Sequence, residues 1–273
     1  MKIIKKVFCI VFVLLFFTGN IFGRGKNDLL LLPSPKLPMK ILKKAMYLSI
    51  FNTGKSIIAV GEQGFIIYTY DNGRTWYQAE VPVRVTLTGV YFSDNKNGWA
   101  VGNCGVILHT ADGGKTWVKQ LDGNTANKLI VKKLKAIIEK KEYGSNTLSL
   151  DDLKYFLKDA TRNIKEGPTW PFLNVWFRDK NFGIAIGGFG KIFLTENGGK
   201  TWESLLGKLN NPDGFHYYDI GELNKTIFMA GEGGILFRAD KEADNWELLK
   251  SPSDTSFFGL NINNADNSVI VTV

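Results

Sequence analysis

The side chains best suited to chemistry are few in this 273-residue chain, and their spacing keeps them apart. His109 and His216 are the two histidines, 107 positions from each other, and neither has further ligands at metal-site spacing beside it. No metal and no cofactor are expected on that ground. Cys9 lies in an apolar N-terminal run, and Cys104 lies in a Gly-flanked strand hairpin that suits a buried thiol better than a reactive one. The arginines are Arg24, Arg74, Arg84, Arg162, Arg178 and Arg238. A hydrolase for acidic sugars needs several arginines gripping one carboxylate, together with a nucleophile pair and an acidic proton donor. Arg24, Arg74 and Arg162 fall in a leader, a turn and a helical segment, which leaves three. The pattern predicts that the chain is not an enzyme.

What does recur is an acidic turn. Thr69-Tyr70-Asp71-Asn72-Gly73-Arg74-Thr75-Trp76 and Thr110-Ala111-Asp112-Gly113-Gly114-Lys115-Thr116-Trp117 share the pattern Thr-x-Asp-x-Gly-x-Thr-Trp, an Asp-box. A carboxylate at this position can accept turn amides, and the glycine supplies positive φ. Thr195 to Trp202 keeps the pattern with Asn197 for the acid and with Gly199. Ala239 to Trp246 keeps only Trp246. These residues solve a local backbone problem, so Asp71, Gly73, Asp112, Gly114, Asn197 and Gly199 are expected to be structural turn locks, not catalysts.

The elements that hold these turns are short strands in a repeat. Ahead of each Trp stands a Gly-x-x-Gly pair of strand ends, at Gly61–Gly64, Gly102–Gly105, Gly187–Gly190 and Gly231–Gly234, and first Gly to Trp is 15 residues in every copy. This Gly-x-x-Gly joins two strands, so no helix N-terminus faces a phosphate. Trp-to-Trp steps are 41, 85 and 44 residues. A four-strand unit of roughly 41–44 residues is a β-propeller blade. The second blade is expected at 87–93, 98–103, 105–110 and 116–120, with Trp76, Trp117, Trp202 and Trp246 wedged between successive sheets. The fold class is all-β: a propeller of about four and a half blades over 42–273, the fifth beginning at Ser256. Closing a ring would take on the order of 100 more residues at this blade length. The expected account is a truncated or frame-interrupted product, with closure by a second chain as the alternative.

Two segments depart from the repeat. Lys2, Lys5 and Lys6 precede the apolar run Val7–Phe17, too short to span a membrane at ~20 residues, so 1–23 reads as a signal peptide and 24–41 as a Pro-punctuated leader. Export to the periplasm or envelope is the expected location. Residues 124–167 carry apolar side chains at helical spacing over Asn127–Glu142 and again after Ser149, whose Asp152 completes a capping box. A helical hairpin is predicted there. Its lysines, Lys128, Lys132, Lys133, Lys135, Lys140 and Lys141, are either a solvated face or a peripheral membrane contact. Apolar residues are 44% and charged residues 22% of the whole, which excludes wholesale disorder, and a net charge of +8 is too small to argue a nucleic-acid partner.

The blades, the export signal and the Gly-x-x-Gly strands together resemble the BNR/Asp-box propellers of the photosystem II stability/assembly factor family. Gln120-Leu121-Asp122-Gly123, Asn211-Pro212-Asp213-Gly214-Phe215-His216-Tyr217-Tyr218 and Ser256-Phe257-Phe258-Gly259 look like its non-photosynthetic bacterial branch. The resemblance covers about residues 45–273. It implies a seven-bladed or nearly seven-bladed non-enzymatic scaffold that binds a protein partner and serves a membrane complex. The rivals are a sialidase-like Asp-box glycoside hydrolase and a nonfunctional remnant. Propellers bind at the axial mouth through loops. The loops with unusual chemistry are 94–97, Arg178–Asn181 and Asp213–Tyr217, so Arg178, Asp179, His216 and Tyr217 are the candidate partner-binding residues.

Overall fold

The computed structural model describes residues 29–144, 147–263 and 265–273. The expected signal peptide and the first residues of the leader lie outside the described residues.

Four antiparallel sheets of four strands follow one another, each in simple chain order. The first holds β1 (Tyr47–Asn52), β2 (Ile57–Gly61), β3 (Ile66–Thr69) and β4 (Tyr77–Gln78). The second holds β5 (Leu87–Phe92), β6 (Gly98–Gly102), β7 (Val106–Thr110) and β8 (Val118–Leu121). The third holds β9 (Phe172–Phe177), β10 (Gly183–Gly187), β11 (Ile192–Thr195) and β12 (Glu203–Ser204). The fourth holds β13 (Tyr217–Leu223), β14 (Thr226–Gly231), β15 (Leu236–Ala239) and β16 (Trp246–Leu248). A two-stranded fifth sheet, β17 (Gly259–Asn263) and β18 (Ser268–Thr272), packs on β13. The first strand of each sheet packs beside the first strand of the next, as propeller blades do around an axis. This bears out the fold class read from the repeat.

Packing between blades explains the Trp period. Trp117 is buried in one cluster with Ile58, Val60 and Ile66 of the preceding blade and Ala100 and Leu108 of its own. Trp202 sits likewise with Trp99, Val101 and Ile107, and Trp246 with Ile184, Ile186 and Ile192. Each indole therefore seals its own blade against the one before. Trp76 departs from the expectation. It is only half-buried, beside Leu42, Ala59, Phe65 and Ile67, because no blade among the described residues stands in front of the first.

The insertion forms α2 (Gly123–Lys140) and α3 (Leu150–Glu166), after a one-turn α1 (Met39–Leu42) ahead of the first blade. α2 starts four residues earlier than its apolar stripe suggested, because the Asp122 carboxylate accepts the Thr125 amide at 3.1 Å and caps it. At α3 both halves of the Ser149–Asp152 capping box form. Ala126, Ile130, Leu134, Leu153 and Phe156 bury their stripe against Trp99, Trp170 and Trp202, so the hairpin is bolted to blades two and three. Lys133 pairs with Glu203 at 2.6 Å, whereas Lys128, Lys132, Lys135, Lys140 and Lys141 face solvent.

Candidate functional site

Strand polarity sorts every loop to one of two ends. β9 begins at Phe172 opposite Gly187 and finishes at Phe177 opposite Gly183. The first hairpin loop of each blade therefore lies at one end, and the Gly-x-x-Gly corner lies at the other.

The acidic turns belong to the hairpin end. Gly113 donates its amide to Lys96 at 3.0 Å and Gly198 to Asn181 at 2.8 Å, tying turn to hairpin. Asp71 Oδ1 accepts the Thr75 amide and the Thr69 hydroxyl, both at 2.8 Å. Led by the Thr75 amide, these donors hold the Asp71 carboxyl down to about 2. At Asp112, burial pushes the carboxyl up, but bonds from Thr116, Thr110 and Lys115 outweigh it and leave it below the usual range. Asn197 takes the Thr201 amide at 2.9 Å and donates to the Thr201 hydroxyl at 2.8 Å. The fourth copy, which keeps only its Trp in sequence, keeps the turn by other means. Asp240, one residue earlier, accepts the Asp244 amide at 2.9 Å, and Ala243 takes φ 59° where the other copies place glycine. Trp246 Nε1 donates to the Ala243 carbonyl at 2.9 Å, as Trp117 does to Gly114 at 3.0 Å.

The corners at the other end have one backbone and four sets of side chains. A Cβ on Gly61, Gly102, Gly187 or Gly231 would lie within 2.0–2.3 Å of the carbonyl oxygen of Met46, Thr86, Pro171 or His216. Those same carbonyls accept the next amide, from Glu62, Asn103, Gly188 and Glu232, at 2.9–3.0 Å. The second glycine of each corner has φ between 61° and 74°, so it too is fixed by the backbone. Between them stand Gln63, Cys104, Phe189 and Gly233, all in the left-handed region at φ 53–61°. Side chains rarely adopt that conformation, and three of the four corners place one there.

Gln63, Cys104 and Phe189 converge on a cavity of about 800 Å³ at the mouth of the axis, with Glu62, Arg84, Thr86 and His216. Phe189 is 51% exposed, an unusual position for a large apolar ring that nothing in the fold requires to face water. Its ring lies 4.8 Å from that of His216, which is 6.2 Å from Tyr218, itself 5.0 Å from Phe258. An aromatic ladder thus crosses blades three, four and five. His216 Nδ1 stands 2.8 Å from Glu232 Oε2, which also takes the His216 amide at 3.1 Å. β13 bulges between Tyr217 and Asp219, and the same irregularity recurs at the start of β1, β5 and β9.

Of the four candidate partner-binding residues, His216 alone lines this mouth. Tyr217 is 1% exposed, its hydroxyl accepting from Asn211 at 3.0 Å, and burial pushes that hydroxyl well above its ordinary range. Arg178 lies at the opposite end, where it clamps blade three to four through Glu222 at 2.6 Å and the Lys241 carbonyl at 2.8 Å. Asp179 accepts the Asn181 and Phe182 amides at 2.7 and 3.0 Å and closes its own hairpin, as Asp94 does with Lys96 and Asn97. The three loops singled out in sequence therefore do not share a face. Nor do the arginines gather: Arg84 holds the Pro33 carbonyl, and Arg238 pairs with Glu247 on an outer strand. Among the described residues no three His, Cys, Asp or Glu side chains form a metal cluster. The ladder residues Phe189, Tyr218 and Phe258 escaped sequence reasoning, although aligning the corners would have flagged Phe189.

Residues 74–136 match the family described as photosynthesis system II assembly factor YCF48, which bears out the family resemblance read from the sequence. No curated protein matches the sequence. Among solved structures, YCF48 from Cyanidioschyzon merolae is 17% identical with a TM-score of 0.51, over 88% of this chain and 66% of its own. The WD40 β-propeller domain of Doa1 is 10% identical with a TM-score of 0.52, over 83% of this chain and 62% of its own. The GH74 enzyme of Niastella koreensis is 13% identical with a TM-score of 0.54, over 82% of this chain and 33% of its own. This chain thus spans just under two thirds of the YCF48 structure, and at these identities the three likenesses speak for the propeller fold.

Proposed function

We propose that the chain is an exported, non-enzymatic propeller scaffold that docks a protein partner at the corner-lined mouth and assists a membrane complex. The observation that carries this is the corner set: four equivalent backbones, fixed by glycine, three of which present different residues, Gln63, Cys104 and Phe189, to one mouth. A fixed frame with variable side chains is how a rigid scaffold builds a binding surface. The match to an assembly-factor family supports the scaffold reading. We place the chain in the non-photosynthetic bacterial branch, in the periplasm or at the envelope, with no nucleic acid and no cofactor. The solvent-facing Lys128, Lys132 and Lys135 of α2 offer a peripheral contact with anionic lipid. The scattered arginines weigh against the Asp-box hydrolase.

The test is recovery from envelope membranes. Wild type should retain an envelope partner, Phe189→Ser combined with Gln63→Ala should lose it, and Arg74→Ala at the opposite end should keep it. Wild type recovered only free and unbound contradicts the proposal. Turnover of aryl glycosides or sialosides that vanishes on substituting Arg178 or Arg238 would establish the rival instead.

A further inference from the structure

The net charge of the molecule is not spread evenly over it. Residues 123–167, the helical insertion, hold ten Lys and Arg against six Asp and Glu, a net +4. The other described residues hold nineteen of each. A neutral propeller thus carries a cationic hairpin, and burial sorts that charge to one side of it. α2 buries Ala126, Ile130, Leu134 and Ile137, and it turns Lys128, Lys132 and Lys135, at i, i+4 and i+7, to solvent. α3 buries Leu153, Phe156 and Ala160 and exposes Tyr155, Lys158, Arg162 and Lys165. Both buried stripes enter one cluster with Trp99 and Trp170, so both cationic stripes lie on the side away from the blades.

The acids of the hairpin are committed elsewhere. Asp152 caps α3 with Ser149, and Asp159 pairs with Arg162 at 2.6 Å. Glu142 stands 3.8 Å from Lys140, and Asp151 stands 3.7 Å from Lys154. Among the described residues no carboxylate pairs with Lys128, Lys132, Lys135, Lys158 or Lys165. Lys128 with Lys132, and Lys158 with Arg162, stand at i, i+4, where like charges weaken a helix. The face therefore does nothing for the fold that holds it. Its composition decides between lipid and protein as the anion it meets. The buried centre of a protein interface is depleted in lysine and built on apolar or aromatic anchors. Here lysines surround a single exposed ring, Tyr155. Lysine is a hydrated point charge without the fork of arginine, which suits a diffuse anionic surface better than one carboxylate. Helices of 18 and 17 residues span about 27 and 25 Å, broad enough to meet several headgroups at once. Tyr155, 67% exposed beside Lys154 and Lys158, has the apolar ring and polar tip of an aromatic that sits at headgroup level.

We propose that the outer face of the hairpin rests on an anionic lipid surface, with Lys128, Lys132, Lys135, Lys158 and Lys165 as its electrostatic contacts and Tyr155 at headgroup depth. The hairpin also fixes which end of the blades comes to that surface. α2 opens against the second corner, where a Cβ on Gly105 would lie 2.8 Å from Gly123, and Thr169, just past α3, lines the axial mouth. Lipid contact through this face therefore brings the mouth to the membrane and keeps the Asp turns away from it. The inference rests on the peripheral contact in the proposed function, and not on a partner at the mouth.

The full chain is sedimented with vesicles of phosphatidylcholine alone, or of phosphatidylcholine and phosphatidylglycerol in equal parts. Binding to the mixed vesicles should exceed binding to the neutral ones and should fall as salt rises. Lys128→Gln, Lys132→Gln and Lys135→Gln together should weaken binding to the mixed vesicles by about a hundredfold, near fivefold per lysine, and leave the neutral vesicles unaffected. The variant should melt no lower than wild type, because it removes a like-charge pair from an exposed face. Lys55→Gln, Lys96→Gln and Lys180→Gln together remove the same charge from the hairpin loops at the opposite end and should leave binding unchanged. A fluorophore at position 63, in the mouth, should be quenched by headgroup-labelled lipid more than one at position 74. Equal binding to the two vesicles, no loss in the α2 variant, equal loss in the loop variant, or stronger quenching at 74 overturns the proposal. So does displacement from the vesicles by poly-glutamate at equal charge, which would assign the face to an acidic protein. Vesicle binding that persists while no envelope partner is recovered would sink the docking at the mouth and leave this face standing.

Discussion

The two ends of the blades are equally regular in backbone and opposite in side chain. At the hairpin end the same donors meet the same acceptor in blade after blade, and when the fourth copy lost its motif, Asp240 and Ala243 rebuilt the turn. At the corner end the glycines and their carbonyl partners repeat, yet the residues between them are Gln63, Cys104, Phe189 and Gly233. Repetition of side chains marks structural work, because each blade meets the same backbone problem. Variation on a fixed frame marks a surface where the fold imposes no choice of side chain. The Asp turns, which look most like chemistry in sequence, are thus the part of the molecule least concerned with a ligand.

Gly102→Val tests the frame most severely. Its Cβ would stand 2.2 Å from the Thr86 carbonyl oxygen, so a loss on the order of 4 kcal/mol or more is expected in denaturant unfolding. Phe189→Ser, in the same kind of corner, should change stability by less than about 1 kcal/mol while abolishing docking. Equal losses in the two variants would erase the distinction between frame and surface.

Trp117→Ala should cost about 3–5 kcal/mol by emptying the joint between blades one and two. Trp76→Ala, where no blade among the described residues stands in front, should cost less than half as much, measured the same way. Asp112→Ala should cost about 1–2 kcal/mol through the stranded Thr116 and Lys115 amides. The pH dependence follows from the lowered carboxyls. Asp71 and Asp112 contribute fully above the ordinary carboxyl pKa, and the contribution fades as pH falls through their folded values, near 2 for Asp71. Asp112→Ala should therefore flatten the acid limb of a stability–pH curve and leave pH 6–8 unchanged in shape. The smallest effect is Ala243→Gly. Relief of φ 59° should outweigh the added freedom of the unfolded chain and raise stability by a few tenths to about 1 kcal/mol.

Much of the architecture was legible because a fixed 15-residue spacing reports a fixed strand length. The second blade falls within one or two residues of its expected strands, except that Asn103–Gly105 is a tight turn and Trp117 precedes the last strand. Three of the four repeat tryptophans, Trp117, Trp202 and Trp246, are buried in clusters that join their own blade to the one before. Trp76 differs because a wedge needs a neighbour, and neighbours are a property of the ring, not of the repeat. The site was less legible. Arg178 and His216 look alike in polarity, but one follows an inner strand and the other precedes one, and that single difference sends them to opposite ends. Tyr217 and Tyr218 are adjacent, yet one is buried and the other is half-buried against His216 and Phe258. Lys191 is the one charged residue at an apolar repeat position, and its neighbours Asp159 and Phe156 come from the helix that covers it.

Site-specific photo-crosslinking in intact envelopes tests the central claim most directly, with the probe placed at Phe189 in one variant and at Arg74 in another. A discrete higher-mass adduct is expected from position 189 and none from position 74. An adduct from position 74 with none from 189 would contradict it, and place the partner at the end assigned here to structure alone.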